Sequence, residues 1–184
     1  MSLEKLRIKR IGDSLVPLLS EAVKVIDIGC GNGELGNYLK DILNIDYYGV
    51  DLIAFPSNQN INLVCGDIPY PFADKSFDIS LLILTLHHFK DPEAGFAEAI
   101  RLTKSKILLL EDVPRNYLER MAMKLVDYLG NRWVSKEIPL PFNFYDDQTW
   151  KRIFEKNKLH LKSRINVYPL PFPRLNHYLY EVCL

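Results

Sequence analysis

Residues 23–38, which read VKVIDIGCGNGELGNY, place four glycines within eight residues directly after a β-branched apolar run. Glycine has no Cβ, so such a loop can turn tightly and lets a ligand lie against the main chain. A plain strand–helix connection needs only one or two glycines, so the pattern predicts a ligand-binding loop. Asp27 lies two residues before the first glycine, inside a strand that its apolar neighbours predict to be buried. A buried carboxylate needs donors or a cation, which also indicates a bound group.

The rest of the chain alternates short apolar stretches with helical patterns. The predicted strands are 24–28, 47–51, 61–65, 77–84, 106–111, 160–168 and 177–184, and the predicted helices are 3–22, 34–43, 91–102, 115–130 and 146–157. Strands that are apolar throughout indicate burial on both faces, as in a parallel sheet with helices on each side, so the fold class is α/β. About eight residues separate the last two strands, too few for a parallel crossover, so the last strand is predicted to run antiparallel.

Glycine, proline and capping residues set the predicted helix boundaries. Asp91 followed by Pro92 is a typical N-cap with proline at the first helical position. Gly12 and Pro17 are expected to interrupt the first helix, and Gly130 to end the fourth.

Composition and charge exclude several classes of protein. The 184 residues contain 23 Lys and Arg against 23 Asp and Glu, so there is no overall charge to attract nucleic acid or an anionic membrane. Cys30, Cys65 and Cys183 are far apart and form no CxxC, which indicates neither a disulfide framework nor a zinc site. No apolar run approaches the length of a membrane span, and MSLEKLRIKR lacks the apolar core of a signal peptide. We therefore expect a cytoplasmic protein without a metal, membrane or nucleic-acid partner.

Three acids follow or end three consecutive predicted strands: Asp27, Asp51 and Asp67. In open α/β sheets, ligands bind at the carboxyl edge of the strands, so these acids are predicted to surround one site. The glycine spacing GNGELG at 31–36 also satisfies the dinucleotide-binding pattern GxGxxG, which leaves a nicotinamide-dependent oxidoreductase as an alternative.

Several motifs together resemble those of one enzyme family. VIDIGCGNGELGNYL is similar to the first motif of class I S-adenosylmethionine-dependent methyltransferases, and YYGVDL to their second. LVCGDI and PFADKSFDISLLILTLHHFKDP resemble the third motif and the strand after it, so the resemblance covers 24–111 and is nearest to the ubiquinone and menaquinone biosynthesis group. It implies a Rossmann-like doubly wound sheet of seven strands, mostly parallel with an antiparallel last strand, and helices on both faces. It also implies S-adenosylmethionine as cofactor and S-adenosylhomocysteine as product.

The resemblance also implies roles for individual residues. Asp51 would accept both ribose hydroxyls, and Asp67 the adenine amino group. The loop from Gly29 to Gly33 would approach the amino acid moiety, with Asp27 anchoring its ammonium group or the N–H groups of the loop. The cofactor-binding residues predicted in this way are Asp27, Gly29, Cys30, Gly31, Gly33, Asp51, Leu52, Gly66, Asp67, Ile68 and Leu84. The sequence departs from the family after Asp51, where only about ten residues lead to the next strand. The sequence therefore does not identify which side chains surround the adenine.

Acceptor chemistry is predicted at the end of the fourth strand, where His87 and His88 are adjacent. Imidazole titrates near neutral pH, so either side chain is a candidate general base; packing or capping is the alternative for each. Glu111 and Asp112 are expected to cap the 115–130 helix. The chain lacks the [Asn/Asp]-Pro-Pro-[aromatic] sequence, which points away from methylation of base amino groups or glutamine amides.

We expect a single methyltransferase domain over 1–184. It comprises an N-terminal helical segment (1–22), a cofactor-binding core (23–111), a helical and aromatic insertion (112–145), and a C-terminal helix and strand hairpin (146–184). The expected function is methylation of a small molecule. Methylation of RNA or protein, and a non-catalytic cofactor-binding subunit, are the alternatives, and a homodimer remains open. The insertion's aromatic residues are expected to pack into a core, and the basic run 6–12 to be a solvated helix face.

Overall fold

The computed structural model describes residues 2–22, 24–55, 62–171 and 175–184. Within these residues seven strands form one sheet in the order β3-β2-β1-β4-β5-β7-β6. The strands are β1 Lys24–Ile28, β2 Asp46–Asp51, β3 Asn62–Cys65, β4 Phe77–Ile83, β5 Thr103–Asp112, β6 His160–Val167 and β7 His177–Cys183. Strands β1 to β5 pair in parallel, whereas β7 runs antiparallel to both β5 and β6. The predicted fold class and the antiparallel last strand are confirmed.

Helices cover both faces of this sheet. They are α1 Leu3–Leu19, α2 Glu34–Ile42, α3 Pro92–Leu102, α4 Tyr117–Val134 and α5 Asp147–Lys156, with a short 3-10 helix at Leu86–His88 after β4. The predicted start of α3 is confirmed, because Asp91 accepts hydrogen bonds from the N–H groups of Glu93 and Ala94, and Pro92 follows it.

The core has two layers because the side chains of each central strand alternate between the faces. In β1, Ile26 and Ile28 lie in the layer that contains Phe96 of α3 and Trp150 of α5. Val25 lies in the opposite layer, which contains side chains of α1 and α2. Both layers are closed to solvent, which explains why the strand sequence is apolar throughout instead of alternating.

Two expected helix boundaries are wrong. Helix α1 continues through Gly12 and Pro17. A Cβ at Gly12 would lie 2.3 Å from a ring atom of Tyr38, so this glycine permits close packing of α1 on α2 instead of interrupting the helix. Helix α4 likewise continues past Gly130 to Val134.

The expected burial of the insertion's aromatic residues is wrong for three of the six. Phe144 is buried, but Tyr117, Tyr128 and Trp133 are 72%, 48% and 93% exposed. Helix α4 buries Met123 and leaves an apolar outer face of Leu118, Met121, Leu125 and Leu129 exposed to solvent.

The crossover from β2 to β3 is short, as the sequence indicates, and no helix is found in its described part, 52–55. Asn62 to Cys65 still pair in parallel with β2, and the Gly66 N–H donates to the Asp51 carbonyl. Among the described residues, no helix is both long and apolar enough to cross a bilayer.

Candidate active site

A cavity of about 540 Å³ opens at the carboxyl edge of the parallel strands, a size typical of small-molecule sites. We call it the main cavity. Most of the predicted cofactor residues line it: Asp27, Gly29, Cys30, Gly31, Asp51, Leu52, Asp67, Ile68 and Leu84. Gly33 and Gly66 are not in its lining, nor is His87. The topology thus brings the loops after β1, β2 and β3 together around one space.

The glycine loop is held by its own backbone. The N–H groups of Gly29 and Cys30 both donate to the carbonyl of Val50 on β2, at 2.8 and 3.1 Å. The φ angles of Gly29, Gly31 and Gly33 are 76°, 57° and 76°, in the left-handed region that side chains disfavour. A Cβ at Gly29 would also lie 1.8 Å from Oγ1 of Thr85. The first glycine is therefore required both by its φ angle and by the close approach of β4's end.

Asp51 clamps the glycine loop to the end of β2. Its Oδ2 accepts a hydrogen bond from the Gly31 N–H at 2.8 Å, and its Oδ1 accepts one from the Ile53 N–H at 3.0 Å. Burial raises the pKa of this carboxyl group, and the backbone hydrogen bonds partly oppose that rise. A carboxylate has about four acceptor positions, so Asp51 can still accept a hydrogen bond from a donor in the main cavity.

Asp27 is buried, and half of its carboxylate lacks a partner. The Tyr47 hydroxyl donates to Oδ2, whereas Oδ1 has no hydrogen-bond partner among the residues that the structure describes. Burial raises the pKa of Asp27 to about 7, against the opposing effect of the Tyr47 hydrogen bond. The N–H groups of Gly29, Cys30 and Gly31 bind Val50 and Asp51, so Asp27 does not hold them. An orphaned acidic oxygen in a cavity fits a cationic ligand group.

Asp67 lies at the exposed end of the main cavity. Its Oδ1 accepts a hydrogen bond from the Ile68 N–H at 2.8 Å, which fixes the turn after β3. Tyr70, which the sequence did not single out, is buried and forms part of the same wall.

The two histidines share the lining of one cavity, but only one of them reaches the main cavity. His87 is buried beside a smaller cavity of about 210 Å³, the second cavity, and His88 lines both cavities. The His87 Nδ1 lies 2.6 Å from Oε2 of Glu111, and the His88 Nδ1 donates to the Pro139 carbonyl at 2.9 Å. Of the two predicted catalytic residues, only His88 therefore lies on the main cavity.

The surroundings of the two imidazoles shift their pKa values in opposite directions. Burial, and then the neighbouring His87, lower the pKa of His88 to about 4. Burial also acts to lower the pKa of His87, but the charge of Glu111 and the contact with Asp127 outweigh it and raise that pKa well above its ordinary value.

Glu111 and Asp112 do not cap α4, contrary to the sequence prediction. Strand β5 continues through both residues, and Asn116 caps the helix by accepting from the Glu119 N–H. Glu111 instead accepts hydrogen bonds from the N–H groups of Thr85 and Leu86, at 3.0 and 2.7 Å, besides its contact with His87. Asp112 pairs with Nε2 of His177 at 3.0 Å.

Sequence reasoning missed the wall of the main cavity opposite the sheet. Arg7, Ile8 and Ile11 of α1 line it, together with a group around the end of α4: Asn131, Val134, Ile138 and Pro139. The basic run 6–12 is thus not simply a solvated face. No local signal marks these residues, because tertiary packing alone brings them to the cavity.

Comparisons with known proteins agree with this geometry. Residues 26–110 match the family model described as "Methyltransferase domain". The chain is 31% identical over 86 residues to a demethylmenaquinone methyltransferase of Corynebacterium kroppenstedtii, a match that covers 44% of this chain and 37% of that protein. It is 37% identical over 75 residues to a probable tRNA methyltransferase 9B of Mus musculus, covering 38% of this chain and 16% of that protein. The matches thus span little more than a third of these relatives at most.

The fold extends the likeness beyond the matched segment. The crystal structure of magnesium protoporphyrin IX methyltransferase from Synechocystis PCC 6803, with bound S-adenosylhomocysteine, superposes with a TM-score of 0.67 at 14% identity. The superposition covers 98% of this chain and 85% of that one. Residues 26–110 thus match the methyltransferase domain model, and the described chain has the fold of solved methyltransferases.

Proposed function

We propose that this chain transfers a methyl group from S-adenosylmethionine to a small-molecule acceptor. The observation that carries the proposal is the unpartnered Oδ1 of Asp27, buried in a cavity that Asp51 and the glycine loop also line. A cationic ammonium group suits that oxygen, whereas the pyrophosphate of a dinucleotide would be repelled by it. A neighbour with the same fold holding S-adenosylhomocysteine is further support.

The residues of the main cavity fit the parts of this cofactor, which supplies a methyl group already activated by a sulfonium. Asp27 would hold the ammonium group, and Asp51 would accept hydrogen bonds from the ribose hydroxyls. Asp67 would accept the adenine amino group near the cavity mouth, beside the apolar side chains of Leu52 and Ile68.

The acceptor side would be formed by α1 and the segment after α4. Ile8, Ile11 and Ile138 give this wall an apolar character that excludes water. For an in-line displacement on an activated carbon, holding the acceptor in place supplies much of the rate. His88 is the predicted catalytic residue that can touch an acceptor here, and His87 would act by positioning it.

RNA is a second candidate acceptor, because two relatives, of Mus musculus and Xenopus tropicalis, are named as tRNA methyltransferases, the first of them as probable. The equal numbers of acidic and basic residues favour the small molecule. Binding of tRNA that weakens steeply with salt would favour the RNA instead.

Thermal unfolding with added ligands tests the proposal. S-adenosylhomocysteine at 100 times its dissociation constant is expected to add about 2.7 kcal/mol of stability, which raises Tm by about 5–10 °C in a domain of this size. The Asp51→Ala variant is expected to lose this ligand-induced shift. Asp46→Ala is the matched control, because Asp46 is an exposed acid at the opposite end of β2. A shift with NAD alone, or none with either sulfur ligand, would overturn the proposal.

Binding of S-adenosylhomocysteine is expected to weaken at low pH. In the folded protein the pKa of Asp27 is about 7, so this carboxyl group is mostly protonated at lower pH. The ammonium group of the ligand stays charged at that pH and binds only the ionised carboxylate. Affinity should therefore fall about fifteenfold as pH drops from about 7 to about 5.5, because only the ionised fraction is competent. Isothermal titration calorimetry measures this, with Asp27→Asn as the control whose weaker binding should not vary with pH. An equally steep pH dependence in Asp27→Asn would rule out this origin.

A further inference from the structure

Three side chains converge beside the second cavity. The Nε2 atoms of His87 and His88 lie 3.4 and 3.7 Å from Oδ1 of Asp127, which projects from α4. One donor atom from each of the three lies within 4.8 Å of the other two. His87 and Asp127 are almost fully buried, and His88 is 17% exposed.

The outer contacts of both rings fix which nitrogen carries a proton. The Nδ1 of His88 faces a carbonyl oxygen and the Nδ1 of His87 faces a carboxylate, and both of these partners can only accept. When a metal ion displaces any proton from Nε2, each ring keeps its proton on Nδ1, and both Nε2 lone pairs face Asp127. Two imidazole nitrogens and one carboxylate can then act as three electron-pair donors in a nearly closed space.

Asp127 adds an independent observation. Its Oδ1 accepts a hydrogen bond from Nδ2 of Asn131 at 2.6 Å, whereas its Oδ2 is buried and has no hydrogen-bond partner within the described part of the chain. An unpaired buried carboxylate oxygen is costly, and a cation beside it would compensate that cost.

We propose that His87, His88 and Asp127 bind one divalent transition-metal ion of the zinc class. Imidazole nitrogen and carboxylate oxygen are zinc ligands, and tetrahedral zinc with bonds of about 2.0–2.1 Å separates its donor atoms by about 3.4 Å. The separations of 3.4 and 3.7 Å agree with that value. Glu111 and the Pro139 carbonyl complete the arrangement, because metal-bound histidines commonly donate their other N–H to a carboxylate or a carbonyl.

Three protein ligands leave one position of a tetrahedral ion open. The three ligands line the second cavity, which adjoins the main cavity at Arg7, Leu84, His88, Asn131 and Val134, so an acceptor in the main cavity could approach an ion held there. An ion of this class lowers the pKa of a bound hydroxyl or thiol. The acceptor would release its proton to cavity water and attack the methyl carbon, and the carbon–sulfur bond would break with its electron pair passing to sulfur. This role rests on the proposed methyl transfer, whereas the metal site itself does not. With the ion bound, His88 is a ligand and not a base.

Cobalt(II) tests the site directly, because tetrahedral cobalt absorbs strongly in the visible range. Protein dialysed against a chelator is expected to bind one equivalent of cobalt with a tetrahedral spectrum, which one equivalent of zinc then abolishes. Asp127→Asn and His88→Gln are expected to weaken binding at least tenfold. His160→Gln, which removes an exposed histidine of β6, is the control and should bind as the wild type does.

Each outcome of this experiment decides the proposal. Absence of a stoichiometric tetrahedral spectrum in the wild type would overturn it, as would binding unchanged in folded Asp127→Asn. If circular dichroism shows that Asp127→Asn is unfolded, the test rests on the cobalt spectrum of the wild type and on the cobalt affinity of His88→Gln. Thermal shifts with S-adenosylhomocysteine on the same wild-type protein separate the two proposals. A shift without cobalt binding would refute the metal site alone, and cobalt binding without a shift would refute the proposed function alone.

Discussion

Replacing Glu111 by alanine is expected to lower the free energy of unfolding by about 2–6 kcal/mol, because two buried N–H groups lose their acceptor at about 1–3 kcal/mol each. Those groups belong to Thr85 and Leu86, where the chain turns from β4 into the short 3-10 helix. Urea denaturation measures the loss, and Tm should fall by about 2–4 °C for each kcal/mol.

Glu111→Gln is the matched control, because its amide oxygen can still accept from both N–H groups. The amide nitrogen would then face Nδ1 of His87 and drive the ring proton to Nε2, so this variant should keep most of the stability but bind cobalt poorly. If Glu111→Ala and Glu111→Gln lose equal stability, the two backbone hydrogen bonds are not the reason for the effect.

Gly29→Ala is expected to cost about 2–5 kcal/mol of unfolding free energy. A side chain at a φ of 76° costs about 1–2 kcal/mol, and forcing a methyl group against Oγ1 of Thr85 adds about 1–3 kcal/mol of overpacking. The displaced loop would also lose its place beside Asp27 and Asp51, so the ligand-induced rise in Tm should shrink as well.

Gly31→Ala separates the two causes. Its φ of 57° is also left-handed, but an added Cβ would meet nothing within 4 Å, so only the conformational cost of about 1–2 kcal/mol is expected. Urea denaturation of the two variants side by side gives the comparison. Equal losses would show that the contact with Thr85 is relieved by relaxation of the loop.

Much of the fold could be predicted because its signals are local. The strand Lys24–Ile28 is apolar on both faces and is bounded by the glycine loop, so its position and its burial follow from the sequence. Asp91 and Pro92 fix the start of α3 in the same way. Asp27, Asp51 and Asp67 were placed on one cavity because parallel topology brings strand ends together.

The predictions fail where contacts between residues far apart in the sequence determine the structure. The grouping of Asp127 with His87 and His88 could not be predicted, because Asp127 is far along the chain from the histidines and no spacing motif joins them. Glu111 was misassigned because only the sheet register brings β5 beside the end of β4. Gly130 did not end α4, because glycine lowers helix stability without forbidding helical angles.

The acids of the main cavity and the wall opposite them come from different parts of the chain. Asp27 and Asp51 lie in β1 and β2, and Asp67 follows β3, on one side of the sheet. The opposing wall is formed by α1 and the end of α4, outside the segment 26–110 that the family model matches. Mutations in that outer wall leave the acids and the glycine loop untouched. Under the proposed function, substitutions in α1 and at the end of α4 would change which acceptor fits, while the part of the sheet that carries the acids would stay unchanged.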